Sequence, residues 1–527
     1  MEKWDIVRVL LLLTAIALIS SGCTLLGPDF VRPEAPVADN WIDPETPAIQ
    51  HDPADFSDWW QVFDDPVLDT LVQSAYQQNL SLQIAGLRVL EARAELGLAT
   101  GSLYPQTQQA AGDLSRVQLS KNSPNISPGI DRFYDLASVG FDAAWELDFW
   151  GRFRRAVESA DANLIANIAG YDDILVTLTA EVARTYTLIR TLEQRILLAS
   201  ENVQIQAESL RIATVRFENG AVTELDVAQA ESLLRSTQAL IPQLQTFLRR
   251  AQNALSILLG MPPQDLGTLL AGSANIPTPP TQVAVGVPAE LLRRRPDIRQ
   301  AELQAAAQSA RIGVARADLY PSFTLFGTIG LSSSSTGRSD TGDLFDSDSF
   351  AFQAGPSFRW NLFNYGRLKN AVRIEDARFE QLLVNYQNRV LLAAGEVEDA
   401  MVGFIRSGEE ARYLAQSVEA AKRASQLAMI QYREGVVDYQ RVLDTDRFLT
   451  EQQDSFTATR GDIALNLIAM YKALGGGWQL RLGHDFVPAP LRQEMGERTD
   501  WGELLESVEA APVEADTEKI RWRSPDW

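Results

Sequence analysis

The sequence predicts an α+β membrane protein in which pairs of strands alternate with very long helices, and in which this arrangement occurs twice. The first observation is a change of hydrophobic period at Gly151. Apolar residues alternate over positions 137–149, as in a strand, and then recur about every 3.6 residues from Phe153 onward, as on one face of a helix. The second is that the junction at residues 145–152 (Trp-Glu-Leu-Asp-Phe-Trp-Gly-Arg) returns at residues 360–367 (Trp-Asn-Leu-Phe-Asn-Tyr-Gly-Arg).

Several matching landmarks of the two halves lie 215 or 216 positions apart. They are residues 217–220 with 432–435, residues 259–260 with 474–475, and residues 103–105 with 319–321. A register kept across so many landmarks indicates a tandem duplication. We therefore predict repeat 1 at residues 66–272 and repeat 2 at residues 273–477, each in the order helix, two strands, long helix, return helix.

The elements follow in order from periodicity and from Pro and Gly positions. The first half is predicted as helix 66–101, strand 106–114, loop 115–136, strand 137–149, helix 152–219 and helix 223–259 with a kink at Pro242. The second is helix 287–317, strand 321–331, loop 332–349, strand 351–363, helix 367–432 and helix 439–474. At about 1.5 Å per residue, each long helix would span on the order of 100 Å, far more than a globular domain needs.

Composition excludes several classes of function. The net charge of −22 argues against nucleic acid, whose phosphates need a clustered basic surface. Two histidines and one cysteine cannot supply a His/Cys metal cluster or a Cys/His dyad, so neither a metal site nor a cofactor is expected. Acidic pairs such as Glu396 and Glu398 lie two apart on a predicted helix and do not face each other. We expect no catalytic residues and no enzymatic activity.

The first residues resemble a secretory signal. Lys3 and Arg8 precede an apolar run at residues 9–19, too short to span a membrane, and small residues then lead to Cys23. This pattern resembles the bacterial lipoprotein signal, which implies a signal peptide at residues 1–22 and a covalent lipid on Cys23. The alternative is a free thiol at that position.

The two ends of the chain outside the repeats are acidic. Residues 23–65 are also rich in proline and are predicted to form an extended arm without a core. Residues 478–527 show no clear period and are predicted to be a peripheral or disordered tail.

Three of the four predicted strands alternate between apolar and polar residues, whereas strand 106–114 alternates poorly and is predicted mainly by analogy with the second half. All four approach the length that crosses a bilayer at a tilt. Four strands cannot close a barrel, and open sheet edges are not tolerated in lipid. If the strands lie in a membrane, several chains must therefore share one barrel. The alternative for the strands is two hairpins of a soluble sandwich, and the long helices alone would also fit a coiled coil.

The mature N-terminus, residues 23–33 followed by Trp41, and the duplicated junctions resemble the OprM/NodT branch of the TolC-like outer membrane factors. The resemblance implies a homotrimer with a twelve-stranded transmembrane β-barrel, four strands per chain, continued by a long α-helical barrel in the periplasm. It further implies a lipid-anchored channel in the outer membrane. Such a channel is the passive exit duct of a tripartite efflux system for small molecules such as drugs, and its partners are a periplasmic adaptor and an inner-membrane pump. The rival hypothesis is a periplasmic scaffold lipoprotein of long helices without a pore.

The resemblance also suggests where the duct would close. Residues 217–231 and 432–447 match the two helix turns that form the periplasmic gate of the family. By position, Tyr432 matches a tyrosine that ties its turn to an acidic residue of the other turn, here Asp226.

Three further residues are assigned to the gate by the same resemblance. Asp444 matches an acidic residue that rings the constriction, and Arg447 matches its partner arginine. Arg441 occupies a second ring position that is acidic in the TolC branch. Three copies of Asp444 around a narrow pore would favour cations. The alternative is that Asp444 and Arg447 form an exposed helix pair worth a few tenths of a kcal/mol.

Overall fold

The computed structural model of the chain describes residues 25–38, 40–42, 49–50, 55–122, 131–272, 274–280, 282–284, 294–336 and 339–506. The predicted signal peptide and Cys23 lie outside the described residues, as do residues 287–293 of a predicted helix and residues 507–527 of the predicted tail.

Two pairs of long helices dominate the chain. The α-helices are α1 (Pro66–Gln78), α2 (Leu80–Gly101), α3 (Arg152–Glu218), α4 (Glu224–Leu258), α5 (Pro296–Ala317), α6 (Arg367–Arg433), α7 (Tyr439–Ala473) and α8 (Ala489–Arg498). Helix α4 continues through Pro242. None of the described helices is both long enough and apolar enough to span a membrane.

Three described helices of the first half have an equivalent of the same length in the second. Helices α3 and α6 each have 67 residues, and α4 and α7 each have 35. Helices α2 and α5 each have 22 residues. Helix α5 packs against both α3 and α6, whereas its equivalent α2 packs against α3.

Four antiparallel strands form one sheet beyond the N-terminal ends of α3 and α6. In spatial order they are β2 (Thr107–Gln118), β3 (Phe133–Leu147), β5 (Ser322–Ser334) and β6 (Phe350–Arg359). The middle pairing joins the two halves, with Gly140 opposite Gly330. A separate short parallel pair joins β1 (Ile49–Gln50) to β4 (Val283–Ala284).

The register places residues of similar polarity side by side in rows that run across the four strands. One row is polar and consists of Gln109, Asp142, Thr328 and Gln353. The next row points to the other face and is apolar, consisting of Ala110, Phe141, Ile329 and Phe352. The sheet thus has one polar and one apolar face, as the alternation in the sequence predicts.

The prediction of a single helix over residues 66–101 is wrong at Asn79. Its side chain accepts a hydrogen bond from the Leu82 backbone N–H at 2.9 Å and caps α2, while its amide donates to the Leu258 carbonyl at 2.9 Å. An asparagine that satisfies an orphan donor of a new helix favours a break at that position. Helix α5 likewise begins at Pro296, because a proline suits the first helical position, so the predicted helix 287–317 is interrupted at Arg295. Its residues 287–293 lie outside the described residues.

The strand boundaries differ from those predicted. The first hairpin is longer on both strands, with Gln118 paired to Phe133, and β6 ends at Arg359 and not at residue 363. Ser115 and Arg116 carry little intrinsic strand preference, but the ladder to β3 continues through them. Cross-strand partners therefore set these boundaries.

The prediction that the tail is peripheral is wrong for residues 478–506. Arg481 is buried and forms an ion pair with buried Asp172 of α3. The Phe486 ring packs edge-on against Tyr171 at 5.1 Å between centroids. This segment is part of the fold because a side chain on α3 supplies the counter-charge that a buried arginine requires.

The prediction that residues 23–65 bury no core is also wrong for their C-terminal part. The arm contributes a group of buried aromatic residues to the main core: Trp41, Phe56, Trp59, Trp60 and Phe63. Trp59 stacks on Tyr471 of α7 at 5.3 Å. The arm therefore contributes to the same core as the last helix of the second half.

Candidate functional site

The two predicted gate turns lie side by side at the end of the helices far from the sheet. Each turn has a glycine with positive φ, Gly220 and Gly435, both at 73°. Gln229 of α4 donates to Gln440 of α7 at 3.0 Å, which links the two turns. The structure therefore brings together the two stretches that the sequence assigns to the gate.

Tyr432 lies at the centre of this contact. It is fully buried, packs edge-on against Tyr439 at 5.4 Å, and carries the Arg216 guanidinium 4.5 Å above its ring. Its hydroxyl has no hydrogen-bond partner. The expected tie to Asp226 is therefore not a hydrogen bond in this structure.

Tyr432 and Asp226 are nevertheless close enough to interact electrostatically. Burial raises the pKa of Tyr432, the Asp226 charge adds to the rise, and Arg216 opposes it. Burial also raises the pKa of Asp226, with the charge of Asp438 adding and Arg216 opposing. Arg216 is thus the cation shared by both groups, a role that the sequence reasoning did not assign. Its position directly before Phe217, at the edge of the predicted turn, was the only available signal.

Arg441, Asp444 and Arg447 are all exposed on α7. Asp444 accepts a hydrogen bond from the Gln440 side-chain amide at 2.8 Å. The side chains of Asp444 and Arg447, both in the described part of the chain, do not form an ion pair with each other. The alternative of an Asp444–Arg447 helix pair is therefore not formed.

The sequence did not single out Asp446, because it is an aspartate two positions after the exposed Asp444 and nothing in the local pattern marks it as buried. It lies two positions further along α7 and is buried, so it faces the packed side of the helix. One carboxylate oxygen accepts from the Ser425 hydroxyl at 2.6 Å, and the other has no partner. Burial raises the pKa of this carboxyl, and the Ser425 hydrogen bond only partly opposes the rise.

A second group of contacts lies at the opposite end of α3, where β3 gives way to the helix. The buried Arg155 guanidinium binds residues 26–29 of the N-terminal arm. Trp150, just before the helix, stacks on Tyr320 at 4.8 Å and donates its indole N–H to the Pro321 carbonyl at 2.8 Å. Cys23 lies outside the described residues, two positions before Leu25, where they begin.

The architecture is that of a family of known proteins. The family model for outer membrane efflux proteins matches residues 71–261 and 287–476, which together make up most of the chain. The chain belongs to the outer membrane efflux protein family. The resemblance to TolC-like outer membrane factors is therefore confirmed.

Individual relatives of this outer membrane efflux protein agree with the family match. The pyoverdine export outer membrane protein OpmQ of Pseudomonas putida is 34% identical over 424 residues, covering 80% of this chain and 88% of the relative. The probable outer membrane lipoprotein SilC of Salmonella typhimurium is 29% identical over 479 residues, covering 89% and 99%. The solved outer-membrane channel OprN has a TM-score of 0.79 at 33% identity, covering 86% of this chain and all of that one.

These comparisons confirm the channel hypothesis over the scaffold. The protein is an outer-membrane channel of an efflux system, and its location is the outer membrane. Its relatives are channels and efflux proteins, not enzymes.

Proposed function

We propose that the chain acts as a homotrimer in which twelve strands, four per chain, close a single transmembrane β-barrel that the long helices continue as a tube through the periplasm. The observation that carries this proposal is the open four-stranded sheet, whose edge strands β2 and β6 each have one partner among the described residues. An unpaired edge is not tolerated in lipid, and bacterial barrels have at least about eight strands. Copies of the chain can pair β6 of one with β2 of the next.

Equivalent positions in the two halves support a second copy of the chain as the neighbour. Helix α3 is covered by α5, but the equivalent face of α6 is not covered. Ala169 and Val176 of α3 are each 3% exposed, whereas their equivalents 215 positions later, Val384 and Leu391, are 55% and 53% exposed. An apolar face of this kind requires a partner in the assembled protein.

The chain itself indicates which element would cover α6. Helix α2 is equivalent to α5 and exposes Leu80, Ile84 and Leu98 on its outer side. Within one chain, α3 packs against both α2 and α5, whereas α6 packs against α5. If α2 of the next chain covers α6, both long helices that start at the sheet are packed on two sides. Tyr365 points to the same arrangement. It is fully exposed in the single chain, whereas its equivalent Trp150 packs against Tyr320.

The proposed role is a passive exit duct of a tripartite system, opened at its periplasmic end by an adaptor and driven by an inner-membrane pump. Small molecules such as drugs or other toxic compounds are the proposed cargo. The name of the relative OpmQ specifies pyoverdine export, which adds pyoverdine to the proposed cargo. Acylation of Cys23 is the proposed anchor, in line with the lipoprotein name of SilC.

The proposed gate consists of Asp444, Arg441 and Arg447 at the constriction, with Tyr432 and Asp226 behind it. The first three are exposed in one chain, as residues around a shared pore must be. Tyr432 and Asp226 would hold the two turns together through packing and the shared cation Arg216. Opening then requires that these turns separate from those of the neighbouring chain.

The test is single-channel conductance of the intact trimer in a planar bilayer, with Asp444→Ala beside the wild type. We expect small, cation-selective openings that lose selectivity in the variant, because the carboxylates concentrate cations at the narrowest point. Glu503→Ala is the matched control, since it removes one exposed carboxylate from the C-terminal segment. Selectivity unchanged by Asp444→Ala would remove that residue from the gate, and an intact trimer without any conductance would contradict the expected small openings and show that the isolated duct is sealed.

A further inference from the structure

The first described residues of the arm lie in a fitted cradle at the start of α3. Arg155 is 2% exposed, and its guanidinium donates to the Leu26 carbonyl at 3.0 Å and to the Asp29 carboxylate at 2.7 Å. A third donor goes to Glu158 on the same helix at 2.7 Å. The planar guanidinium thus uses its fixed fork of donors to bind a backbone carbonyl and a side chain of the arm together.

The backbone of the arm also fits closely against two helices. The Leu26 N–H donates to the Trp150 carbonyl at 3.2 Å. A Cβ on Gly313 of α5 would lie 2.5 Å from the Leu26 carbonyl oxygen and 2.8 Å from Arg155 Cγ. Gly27 has a φ of +99° and would meet Gly313 at the same 2.5 Å. Glycines on both sides therefore allow the arm to lie against α5.

The equivalent positions, 215 or 216 residues away in the other half, keep the glycine but lack the arginine. Asn370 stands where the first half has Arg155, and Gly97 stands where the second half has Gly313. A Cβ on Gly97 would meet no described atom within 4 Å. The buried arginine of the cradle is thus specific to the junction that receives the arm.

We propose that Arg155 and Gly313 form a docking site for residues 25–29 of the chain's own arm, so that the start of the mature chain is fixed beside the strand-to-helix junction and not loosely tethered. Arg155 is the positioning residue. If the arm left, the guanidinium would lose two of its hydrogen-bond partners, the Leu26 carbonyl and the Asp29 carboxylate, which disfavours release.

The proposal has a consequence for the membrane anchor, which rests on the proposed acylation of Cys23. Only Thr24 separates Cys23 from Leu25, and an extended chain covers only a few ångströms per residue. A docked Leu25 therefore keeps a lipid on Cys23 close to the junction. The acyl chains would then enter the membrane next to the strands of the same chain. The anchor would set the depth of the barrel in addition to retaining the protein at the membrane.

The test measures arm mobility with a nitroxide spin label on Pro28→Cys, an exposed position inside the docked segment. The full-length trimer is reconstituted in phospholipid vesicles. We expect an immobilised spectrum that is lost in Gly313→Ala, since the added methyl group occupies the place of the Leu26 carbonyl, and retained in Gly97→Ala. Arg155→Ala should also release the arm, and Arg155→Lys should restore part of the immobilised component, because an ammonium can still donate to one of the two partners.

Two outcomes separate the cradle from the anchor. A label that stays immobilised in both Gly313→Ala and Arg155→Ala overturns the docking site. Because Cys23 is the single natural cysteine, one label per chain shows that its thiol is blocked, whereas two labels overturn the acylation and leave the docking site to be decided by mobility. If Arg155→Ala does not assemble, Gly313→Ala and Arg155→Lys still decide the matter. A lowered melting temperature without release of the arm would reduce Arg155 to a structural role and contradict the proposal.

Discussion

At the scale of single residues, identical side chains have different roles because the helix turns them toward different surroundings. Asp444 is exposed and bound to Gln440, whereas Asp446 is buried with one unpaired oxygen. Likewise, Arg155 and Arg481 are buried and paired with distant carboxylates. These differences decide which charges are available at a surface and which hold the fold together.

The buried carboxyl of Asp446, which has one oxygen without a partner, predicts a pH dependence of the gate turns. Its folded pKa is raised by burial above the unfolded value of about 3.9, so the folded state binds more protons between these two values. The packed turns should therefore be most stable below the unfolded pKa and lose stability as pH rises through the folded pKa.

Asp446→Asn should raise the stability of the turns at neutral pH by on the order of 1 kcal/mol, because it removes a buried charge and keeps an acceptor for Ser425. The slope between acidic and neutral pH should flatten. Hydrogen exchange of amides at residues 425–446 measures both effects. Asp444→Asn is the control and should change stability by less than about 0.5 kcal/mol. An unchanged slope in Asp446→Asn would show that another group titrates.

At the scale of elements, the C-terminal segment is held by fit against α2 and α3. The Phe486 backbone carbonyl lies so close to Gly86 of α2 that a Cβ there would collide with it. Val487 and Met495 are buried beside the same helices, and Arg93 lies 5.5 Å from the Phe486 ring. Residues 478–506, which have no apolar periodicity, are thus held in place by contacts that their own sequence does not predict.

Gly86→Ala should weaken this docking by about 1–3 kcal/mol, because overpacking forces the backbone apart. Gly97→Ala lies in the same helix but meets no described atom within 4 Å. Because Gly97 touches nothing in the docked segment, Gly97→Ala should leave the docking of residues 478–506 unchanged. Limited proteolysis measures the release of residues 478–506. Equal cleavage of the two variants would contradict a close fit at Gly86.

At the scale of the whole molecule, the internal repeat predicts how copies of the chain meet. Within the chain, Gln300 of α5 reaches Gly170 of α3 so closely that a Cβ on that glycine would collide with its amide. The equivalents of these two positions are Ile84 of α2 and Asn385 of α6, both exposed in the single chain. They should be neighbours across the boundary between two chains.

Cysteines at Ile84 and Asn385 should therefore form disulfides between chains under oxidation, and denaturing gels should show a covalent trimer. Disulfides require Cα atoms within about 7 Å, so the test is stringent. Ile84→Cys combined with Tyr413→Cys, another exposed position on α6, is the control and should remain monomeric on the gel. Cross-linking of the control pair but not of the predicted pair would reject the proposed arrangement.

By itself, the sequence determined the class of the protein and the positions of its long elements. Periods of 2 and 3.6 residues, the junction at Gly151 and its return at Gly366 are local patterns, and they place the strands and long helices to within a few residues except at Asn79 and Pro296. The residues of the gate turns followed from resemblance to a family, not from periodicity.

Only the tertiary structure decided which charged groups are buried and with what partner. Arg481 is separated from Asp172, and Arg155 from Asp29, by stretches of chain that no local period spans. The capture of the tail, the aromatic core of the arm and the cradle at Gly313 depend on surfaces assembled from distant segments. Burial is a property of the assembled surface, and a sequence read locally carries no signal for it when the buried residue is polar.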